Sequence, residues 1–314
     1  MTPPAAKGPS PDEELSDLIL RYGVILGRRF TRSQKRRFLL AAAHQFELCG
    51  LDVSLEESKR PVRTAGSKRY FNLYAGNPRK ADWLFVTCYD TPAKRFRPGR
   101  PRAFETGYGT ADALASLAAL AALVVAAAVF LWRVVVPAMG DSGVLSLWGA
   151  LFLLVCVVVL AVVTRCREGF AERDNLVRNS SSLVVLFDLA SELCAAGVPK
   201  GRVAFALVDE GCRSQRGLDM LAQRLGGRHP RQVYVDCLGG GGDAFCLTRT
   251  KVSDALRARA HVRPLSTELR ARYGDYLLCA GEETQDGYEV LPRPDLGVDT
   301  VRRMTSLLRD LSGL

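Results

Sequence analysis

The chain has 314 residues, a formal net charge of +10 and 48% hydrophobic residues. A chain of this size can bury a large core, which excludes a small domain held together by disulfides. Its nine cysteines include no CxxC pair, which predicts reduced thiols. Residues 1–110 hold 20 Lys and Arg against 11 Asp and Glu, without a zinc-finger or RNP-type motif. The basic half therefore indicates anionic lipid headgroups rather than nucleic acid as a partner.

The N-terminal part begins with a Pro-rich, acidic stretch, residues 1–11, which is expected to be a disordered tail. Residues 12–110 are predicted to form the first part of an α/β domain. Thr31 is a suitable N-cap with Gln34 at the capping-box position, and Gly50 is a suitable stop for the helix between them. The elements predicted here are helices over 12–26 and 31–49 and strands over 70–74 and 83–89.

Two long apolar runs, 111–132 and 144–163, follow this first part. Each is close to the roughly 20 apolar residues that a helix needs to cross a bilayer. Neither run has the polar stripe of a helix that lies on a soluble core. The sequence therefore predicts a two-helix transmembrane hairpin over 111–164, inserted between two parts of one soluble domain.

Basic residues flank both predicted spans, whereas the connection between the spans carries one Arg and one Asp. These flanking residues are Lys94, Arg95, Arg97, Arg100 and Arg102 before the first span and Arg165, Arg167 and Arg173 after the second. The N-terminus lacks the pattern of an export signal. By the positive-inside rule we expect an integral protein of the plasma (inner) membrane, with both termini and the globular domain in the cytoplasm.

Residues 165–314 are predicted to form the second part of the domain, in which strands alternate with helices. The predicted elements are helices over 181–196, 218–225 and 299–311, strands over 203–208, 232–238, 244–248 and 276–279, and a helical stretch over 252–273 broken by Pro264. This alternation favours an α/β fold with a mostly parallel sheet sandwiched by helices.

Polar side chains gather at the predicted strand ends, where an open parallel sheet forms its binding site. They are Cys88 and Asp90 after strand 83–89, Asp209 and Glu210 after strand 203–208, Asp236 in strand 232–238, and Asp174 and Asn175 before the helix at 181. This placement makes them the candidate site residues.

These motifs resemble the zinc aminopeptidases and glutaminyl cyclases of peptidase clan MH. The segment YFNLYAG resembles the strand that bears the family's Asn, here Asn72, and Cys88-Tyr89-Asp90 stands where the family has His-x-Asp. The family's Asp-Asn before a long helix corresponds to Asp174-Asn175, its paired Glu-Glu to Asp209-Glu210, and its later strand-end Asp to Asp236. The resemblance implies a zinc-exopeptidase-like fold, interrupted by the hairpin.

The resemblance also implies roles for these residues. One zinc ion would be held by Cys88, Asp174 and Asp236, and a second by Asp174 and Glu210 alone, because the family's final His has no counterpart. Asp209 falls at the general-base position, one methylene shorter than the family's Glu, and a misplacement of about 1 Å can cost roughly a hundredfold in rate. The histidines, His44, His229 and His261, all fall away from the predicted strand ends.

Each candidate also has a purely structural interpretation. Cys88 suits a small buried apolar position, the carboxylates of Asp174, Asp209 and Glu210 suit helix caps, and Asp236 suits a turn. Two functional hypotheses follow. The first is a membrane-anchored, catalytically degenerate protein with no metal or a single zinc, whose cleft binds or scaffolds a membrane-borne protein or peptide. The alternative is an aminopeptidase-type hydrolase with one zinc or an altered ligand set, and a lipid-surface scaffold is a third.

Overall fold

The computed structural model describes residues 10–61, 67–92, 100–105, 110–143, 145–166, 171–172, 175–293 and 295–314. The chain divides into two compact units. The globular unit comprises Met1–Pro92, Gly99–Gly107 and Arg173–Leu314, and the hairpin unit comprises Ala93–Pro98 and Tyr108–Glu172. Several predicted features lie outside the described residues, namely the tail up to residue 9, the basic residues Lys94, Arg95, Arg97, Arg167 and Arg173, and the candidate ligand Asp174.

The N-terminal helices form where their capping signals predict them. Helix α1 (Pro11–Leu18) has a full capping box on Ser10 and continues as a π-helical segment, Ile19–Ile25. Helix α2 (Arg32–Leu48) begins at a second capping box, in which Thr31 and Gln34 satisfy each other's backbone N–H groups. The disordered tail predicted over residues 1–11 stays a prediction.

The globular unit contains one nine-stranded sheet in the described part of the chain. Its strands are β1 (Val53–Pro61), β2 (Ser67–Ala75), β3 (Trp83–Cys88), β4 (Val203–Val208), β5 (Arg231–Val235), β6 (Asp243–Thr248), β7 (His261–Pro264), β8 (Tyr276–Thr284) and β9 (Gly287–Glu289). They lie in the order β1-β2-β4-β3-β5-β8-β6-β7, and β9 pairs with β8. The remaining helices of this unit are α6 (Ser181–Ala195), α7 (Arg216–Leu225), α8 (Asp254–Arg259), α9 (Thr267–Tyr273) and α10 (Val298–Ser312).

The centre of the sheet is parallel, which confirms the predicted α/β class. Strands β4, β3, β5 and β8 pair in parallel, whereas β1, β2 and β6 join the sheet through antiparallel pairs. Three strands, β1, β7 and β9, were not predicted. Strand β1 is rich in charged residues because it lies at an edge of the sheet, and β7 forms within the stretch predicted as helical because His261–Pro264 pairs with β6 at the opposite edge.

Helices cover both faces of the sheet, so the central strands are buried on both sides. In β3, Trp83 and Phe85 point into one core, which is shared with α1, α2, α6 and α10. Leu84 and Val86 point into the other, which α7 covers with Leu218 and Leu221 among others. In this three-layer arrangement the carboxyl ends of β3, β4 and β5 lie side by side at the same end of the sheet.

The hairpin unit consists of two long apolar helical runs. The first is continuous through α3 (Thr110–Phe130), a π-helical segment (Leu131–Val135) and α4 (Val136–Ser142), and the second is α5 (Leu147–Cys166). The connection predicted over 133–143 is therefore mostly helical. Both runs are long and apolar enough to cross a membrane, and almost none of their apolar window is buried in protein.

Candidate functional site

The candidate residues follow the carboxyl ends of the parallel strands and therefore lie together at one end of the sheet. Cys88 at the end of β3 pairs in register with Val208 at the end of β4, so Asp209 and Glu210 follow directly beside it. The backbone of Glu210 lies in the left-handed region, with φ of 54°, which is uncommon for a residue with a side chain. Strain of this kind concentrates at functional and binding sites.

Asp209, the candidate general base, forms a buried ion pair with Lys35. Its Oδ1 atom accepts from Nζ of Lys35 at 2.5 Å and from the backbone N–H of Glu210 at 2.8 Å. Its Oδ2 atom accepts from the backbone N–H of Phe71 at 3.1 Å. Asp209 is fully buried, so these contacts replace water as the partners of the carboxylate.

Lys35 lies on the inner face of α2 and is 8% exposed. Burial alone would lower the pKa of its ammonium group, but Asp209, Asp90 and Glu210 together raise it above its ordinary value. The Glu210 Oε1 atom lies 3.7 Å from Nζ, and its Oε2 atom accepts from Ser214. Both candidate acidic residues after β4 are therefore held by partners within the protein.

Asp236, the candidate ligand after β5, is also engaged. Its Oδ2 atom accepts from the backbone N–H of Phe104 at 2.8 Å, and its Oδ1 atom lies 3.3 Å from Sγ of Cys237. Burial raises the pKa of this carboxyl, and the nearby Arg178 opposes the shift. Its position is therefore fixed by the loop that carries Phe104.

A second group of side chains lies beside these carboxylates and was not predicted as a set. Cys88, Asp90 and Cys212, hereafter the Cys–Asp–Cys cluster, place their ligand atoms within 4.8 Å of one another, and all three residues are buried. The two Sγ atoms are 3.8 Å apart. Gly211 makes this approach feasible, because a Cβ atom at that position would lie 2.1 Å from Cβ of Cys88. The neighbouring Cys212 thiol and burial raise the pKa of Cys88 well above its ordinary value.

The amide of Asn179 binds this cluster from the segment before α6. Its Nδ2 atom lies 3.2 Å from Sγ of Cys88, 2.9 Å from Sγ of Cys212 and 2.6 Å from the backbone oxygen of Asp90. In contrast, several buried polar atoms around it have no hydrogen-bond partner among the described residues. These atoms are both carboxylate oxygens of Asp90, Oδ1 of Asn175, Oδ1 of Asn179 and Nε of Arg178. Buried polar groups without partners are rare, so these atoms make this end of the sheet a candidate binding site.

Arg29 lies beside the site and is fully buried. Its guanidinium donates to the backbone oxygens of Tyr89, Tyr22 and Leu26 and to Oγ of Ser180. Burial lowers the pKa of Arg29 to about 10, and the charges of Asp90 and Cys88 oppose that shift. Arg29 thereby ties the N-terminal helices to the ends of β3 and of the segment before α6.

The structure brings only part of the predicted ligand set together. Among the described residues, the one group of three metal-ligand atoms within 4.8 Å is the Cys–Asp–Cys cluster, so Cys88, Glu210 and Asp236 do not form such a group. Because the oxygens of Glu210 and Asp236 already have partners, the described residues do not fit the pair of zinc ions that the resemblance implies. The set of Cys88, Asp174 and Asp236 stays a prediction.

The three histidines lie away from the strand-end site. His44 is exposed on α2 near Glu47, His229 is exposed before β5, and His261 at the start of β7 contacts Asp243 at 3.2 Å. Tyr288 and Glu289, which come near the position of the missing His in the sequence, lie on β9, where Tyr288 packs against Phe245. None of these side chains supplies the missing ligand.

Sequence reasoning missed Lys35, Arg29, Asn179 and Cys212. For Lys35 a signal existed, because it precedes Phe38 and Leu39 by three and four residues and so shares their buried helix face. Cys212 lies in a turn four residues after β4, where no periodic pattern marks its direction. Its contact with Cys88 bridges 124 positions of sequence, which only the fold reveals.

The raised pKa of Asp90 predicts how the stability of the metal-free protein changes with pH. Burial raises its pKa to about 6, with Asp209 and Glu210 adding to the shift and Lys35 opposing it. Since the unfolded carboxyl titrates near about 3.9, the native state binds the proton more tightly, and stability falls as pH rises from about 4 to about 6. A shift of about two units corresponds to about 3 kcal/mol.

We therefore expect Asp90→Asn to make metal-free protein more stable than wild type by about 2–3 kcal/mol at pH 7.5, because one pKa unit is worth about 1.4 kcal/mol. The difference should shrink towards zero near pH 4. Denaturant unfolding of the detergent-solubilised protein across this range measures it. A difference that does not change with pH would contradict a charged, unpartnered Asp90.

Comparisons with solved structures agree with this architecture. The chain is similar to a glutaminyl cyclase from Bacteroides thetaiotaomicron bound to N-acetylhistamine (TM-score 0.54, 11% identity, 97% of this chain and 98% of that chain). It is likewise similar to a Zn-dependent exopeptidase from Parabacteroides distasonis (0.54, 10%, 95% and 96%) and to a leucine aminopeptidase precursor from B. thetaiotaomicron (0.55, 11%, 98% and 98%). No family model and no curated protein matches the chain. At this identity the likeness concerns the fold: the chain has the α/β fold shared by bacterial glutaminyl cyclases and zinc-dependent exopeptidases.

Proposed function

We propose that this chain is a membrane-anchored protein that uses the zinc-exopeptidase fold to bind a partner and does not carry out hydrolysis. The observation that carries the proposal is the ion pair between Asp209 and Lys35. A general base must be free to take a proton from a bound water in a reactive position. Asp209 instead accepts hydrogen bonds from an ammonium group and from two backbone N–H groups.

The rest of the strand-end site supports the same conclusion. Glu210 contacts Lys35 and Ser214, and Asp236 accepts from the backbone of Phe104. The alternative, a hydrolase with one zinc or an altered ligand set, would need at least one of these carboxylates to leave its partner. What the edge still offers is a set of unpartnered amide and carboxylate oxygens on Asp90, Asn175 and Asn179, which suits binding.

Hydrolysis is tested with purified, reduced, full-length protein in detergent with added Zn²⁺. The substrates are aminoacyl reporter amides and a peptide with an N-terminal glutamine, and Asp209→Asn is the matched variant. We expect no turnover above buffer from either protein. Turnover by wild type that falls by about 10²–10⁴-fold in Asp209→Asn, the usual contribution of a general base, would contradict the proposal.

The hairpin unit is the proposed anchor. Its apolar side chains are exposed along both helices, including Leu117, Trp132 and Leu153, and a bilayer would cover them. The basic flanks support a topology in which both termini and the globular unit are cytoplasmic, at the inner face of the plasma membrane, where anionic lipid headgroups attract Lys and Arg. Because the globular unit is tethered there, we propose that its partner is a membrane-borne protein or peptide.

The orientation is tested by protease access in intact cells that express the full chain. A cleavage site is inserted at Gly140, which is exposed and has open space around it, and in a second protein at the C-terminus. We expect added protease to cut the first protein only, because the connection lies outside. Cleavage at the C-terminus in intact cells, with protection at Gly140, would reverse the topology.

A further inference from the structure

The Cys–Asp–Cys cluster combines three donors from two different parts of the fold. Cys88 and Asp90 come from the end of β3, and Cys212 comes from the turn after β4. All three are buried, and Asp90 is 1% exposed. Of these three residues, the resemblance assigned a ligand role to Cys88 only, so the cluster shares Cys88 with the predicted site and replaces Asp174 and Asp236 by Asp90 and Cys212.

The spacing of the two sulfurs is that of a shared tetrahedral ion. Zn–S bonds of about 2.3 Å in tetrahedral geometry place two thiolates about 3.8 Å apart. The Sγ atoms of Cys88 and Cys212 are 3.8 Å apart. A disulfide would require about 2.0 Å, so the two sulfurs are not bonded to each other, and their distance suits either a thiol–thiol hydrogen bond or a shared ion.

Asp90 supplies the independent observation. No donor among the described residues makes a full hydrogen bond to either carboxylate oxygen of Asp90. The charge of Lys35 and the backbone N–H of Cys212 lower its pKa but do not offset the effect of burial. An unpartnered buried carboxylate is costly, and a hydrogen bond between the two thiols would leave it just as unsatisfied. A cation at the sulfurs satisfies Asp90 and both cysteines together.

The charge balance of the cluster and the contacts of Asn179 also suit a divalent ion. If Zn²⁺ displaces the two thiol protons, the net charge of the buried cluster does not change, so no new charge is buried. The amide Nδ2 atom of Asn179 donates one hydrogen to the backbone oxygen of Asp90, and its other hydrogen can be shared between the two sulfurs, as groups around metal ligands commonly donate.

We propose that Cys88, Cys212 and Asp90 hold one Zn²⁺ ion, with both sulfurs as thiolates and Asn179 as their hydrogen-bond donor. Binding releases two protons to solvent and oxidises nothing. Three protein ligands leave a fourth position for water. The site requires neither Glu210 nor Asp236 and is independent of whether the protein hydrolyses anything.

The test uses full-length protein in detergent, purified under reducing conditions, with metal content measured per chain after removal of loosely bound ions. We expect one zinc per chain in wild type and at least about a hundredfold weaker binding in Cys88→Ala and Cys212→Ala, beyond the 10–100-fold typical of outer-shell changes. Asp90→Asn should weaken binding at least about tenfold. Cys246→Ala and Cys279→Ala, which alter buried cysteines of β6 and β8, should keep the zinc, as should Asp236→Asn.

Cobalt substitution of the wild-type protein gives a readout that does not depend on any variant folding. Two thiolates on tetrahedral Co²⁺ produce intense sulfur-to-cobalt absorption in the near ultraviolet, and we expect that band at one equivalent. Three results would overturn the proposal: no stoichiometric zinc in reduced wild type, no sulfur-to-cobalt band, or zinc kept by Cys212→Ala and lost in Asp236→Asn. Turnover in the hydrolysis assay would contradict only the proposed function.

Discussion

Lys35→Met is expected to lower the free energy of unfolding of the globular unit by about 3–5 kcal/mol, the usual cost of removing one partner of a buried ion pair. The methionine keeps the length of the side chain, so little packing volume is lost. It leaves the fully buried Asp209 without its cation, beside Glu210, which carries a second negative charge. Denaturant unfolding of the detergent-solubilised protein at pH 7.5 measures the loss.

The matched control is Arg37→Met, which removes a charge from an exposed position of the same helix. Changes at such positions are usually within about 0.5 kcal/mol. If Lys35→Met were as mild as Arg37→Met, Lys35 would be a solvated surface residue and Asp209 would be free to act as a base.

Arg29→Met is expected to destabilise the protein by a similar amount, about 3–5 kcal/mol, through a different mechanism. The arginine lies over the ring of Phe38 and donates to three backbone oxygens and to Ser180. All of these acceptors are in the interior, and each buried acceptor that loses its donor costs about 1–3 kcal/mol. Thermal unfolding followed by circular dichroism gives the change.

Arg28 provides the comparison, because it is the exposed neighbour of Arg29 in the same segment. Arg28→Met should unfold at nearly the wild-type temperature. Equal effects of the two substitutions would mean that the network around Arg29 does not hold the N-terminal helices to β3.

Much of the fold could be predicted from the sequence because its signals are local. The capping box of Thr31 and Gln34 fixed the start of α2, and the continuous apolar runs of β3 and β4 indicated buried parallel strands. Strand β1 escaped prediction because an edge strand with solvent on one side can alternate charged and apolar residues. Its sequence, VSLEESKRP, contains four charged residues.

The candidate site was less predictable because its contacts are long-range. Acidic residues at strand ends could be found by position alone, but the partner of Asp209 lies 174 residues away on α2. Likewise, the sulfur nearest to Cys88 belongs to a turn after another strand. Patterns of residue type therefore identified which edge carries the site, whereas the tertiary fold decides which donors meet there.

The structural role of Asp209 is tested most directly by a double-mutant cycle with Lys35→Met, Asp209→Asn and the combined variant. Free energies of unfolding at pH 7.5 give the coupling between the two side chains. Because a buried pair costs far more to break than to replace as a whole, we expect the combined variant to lose less stability than the sum of the two single losses, with a coupling of about 2–3 kcal/mol. Additive single effects, with a coupling near zero, would contradict an ion pair that holds Asp209 and would make it available again as a general base.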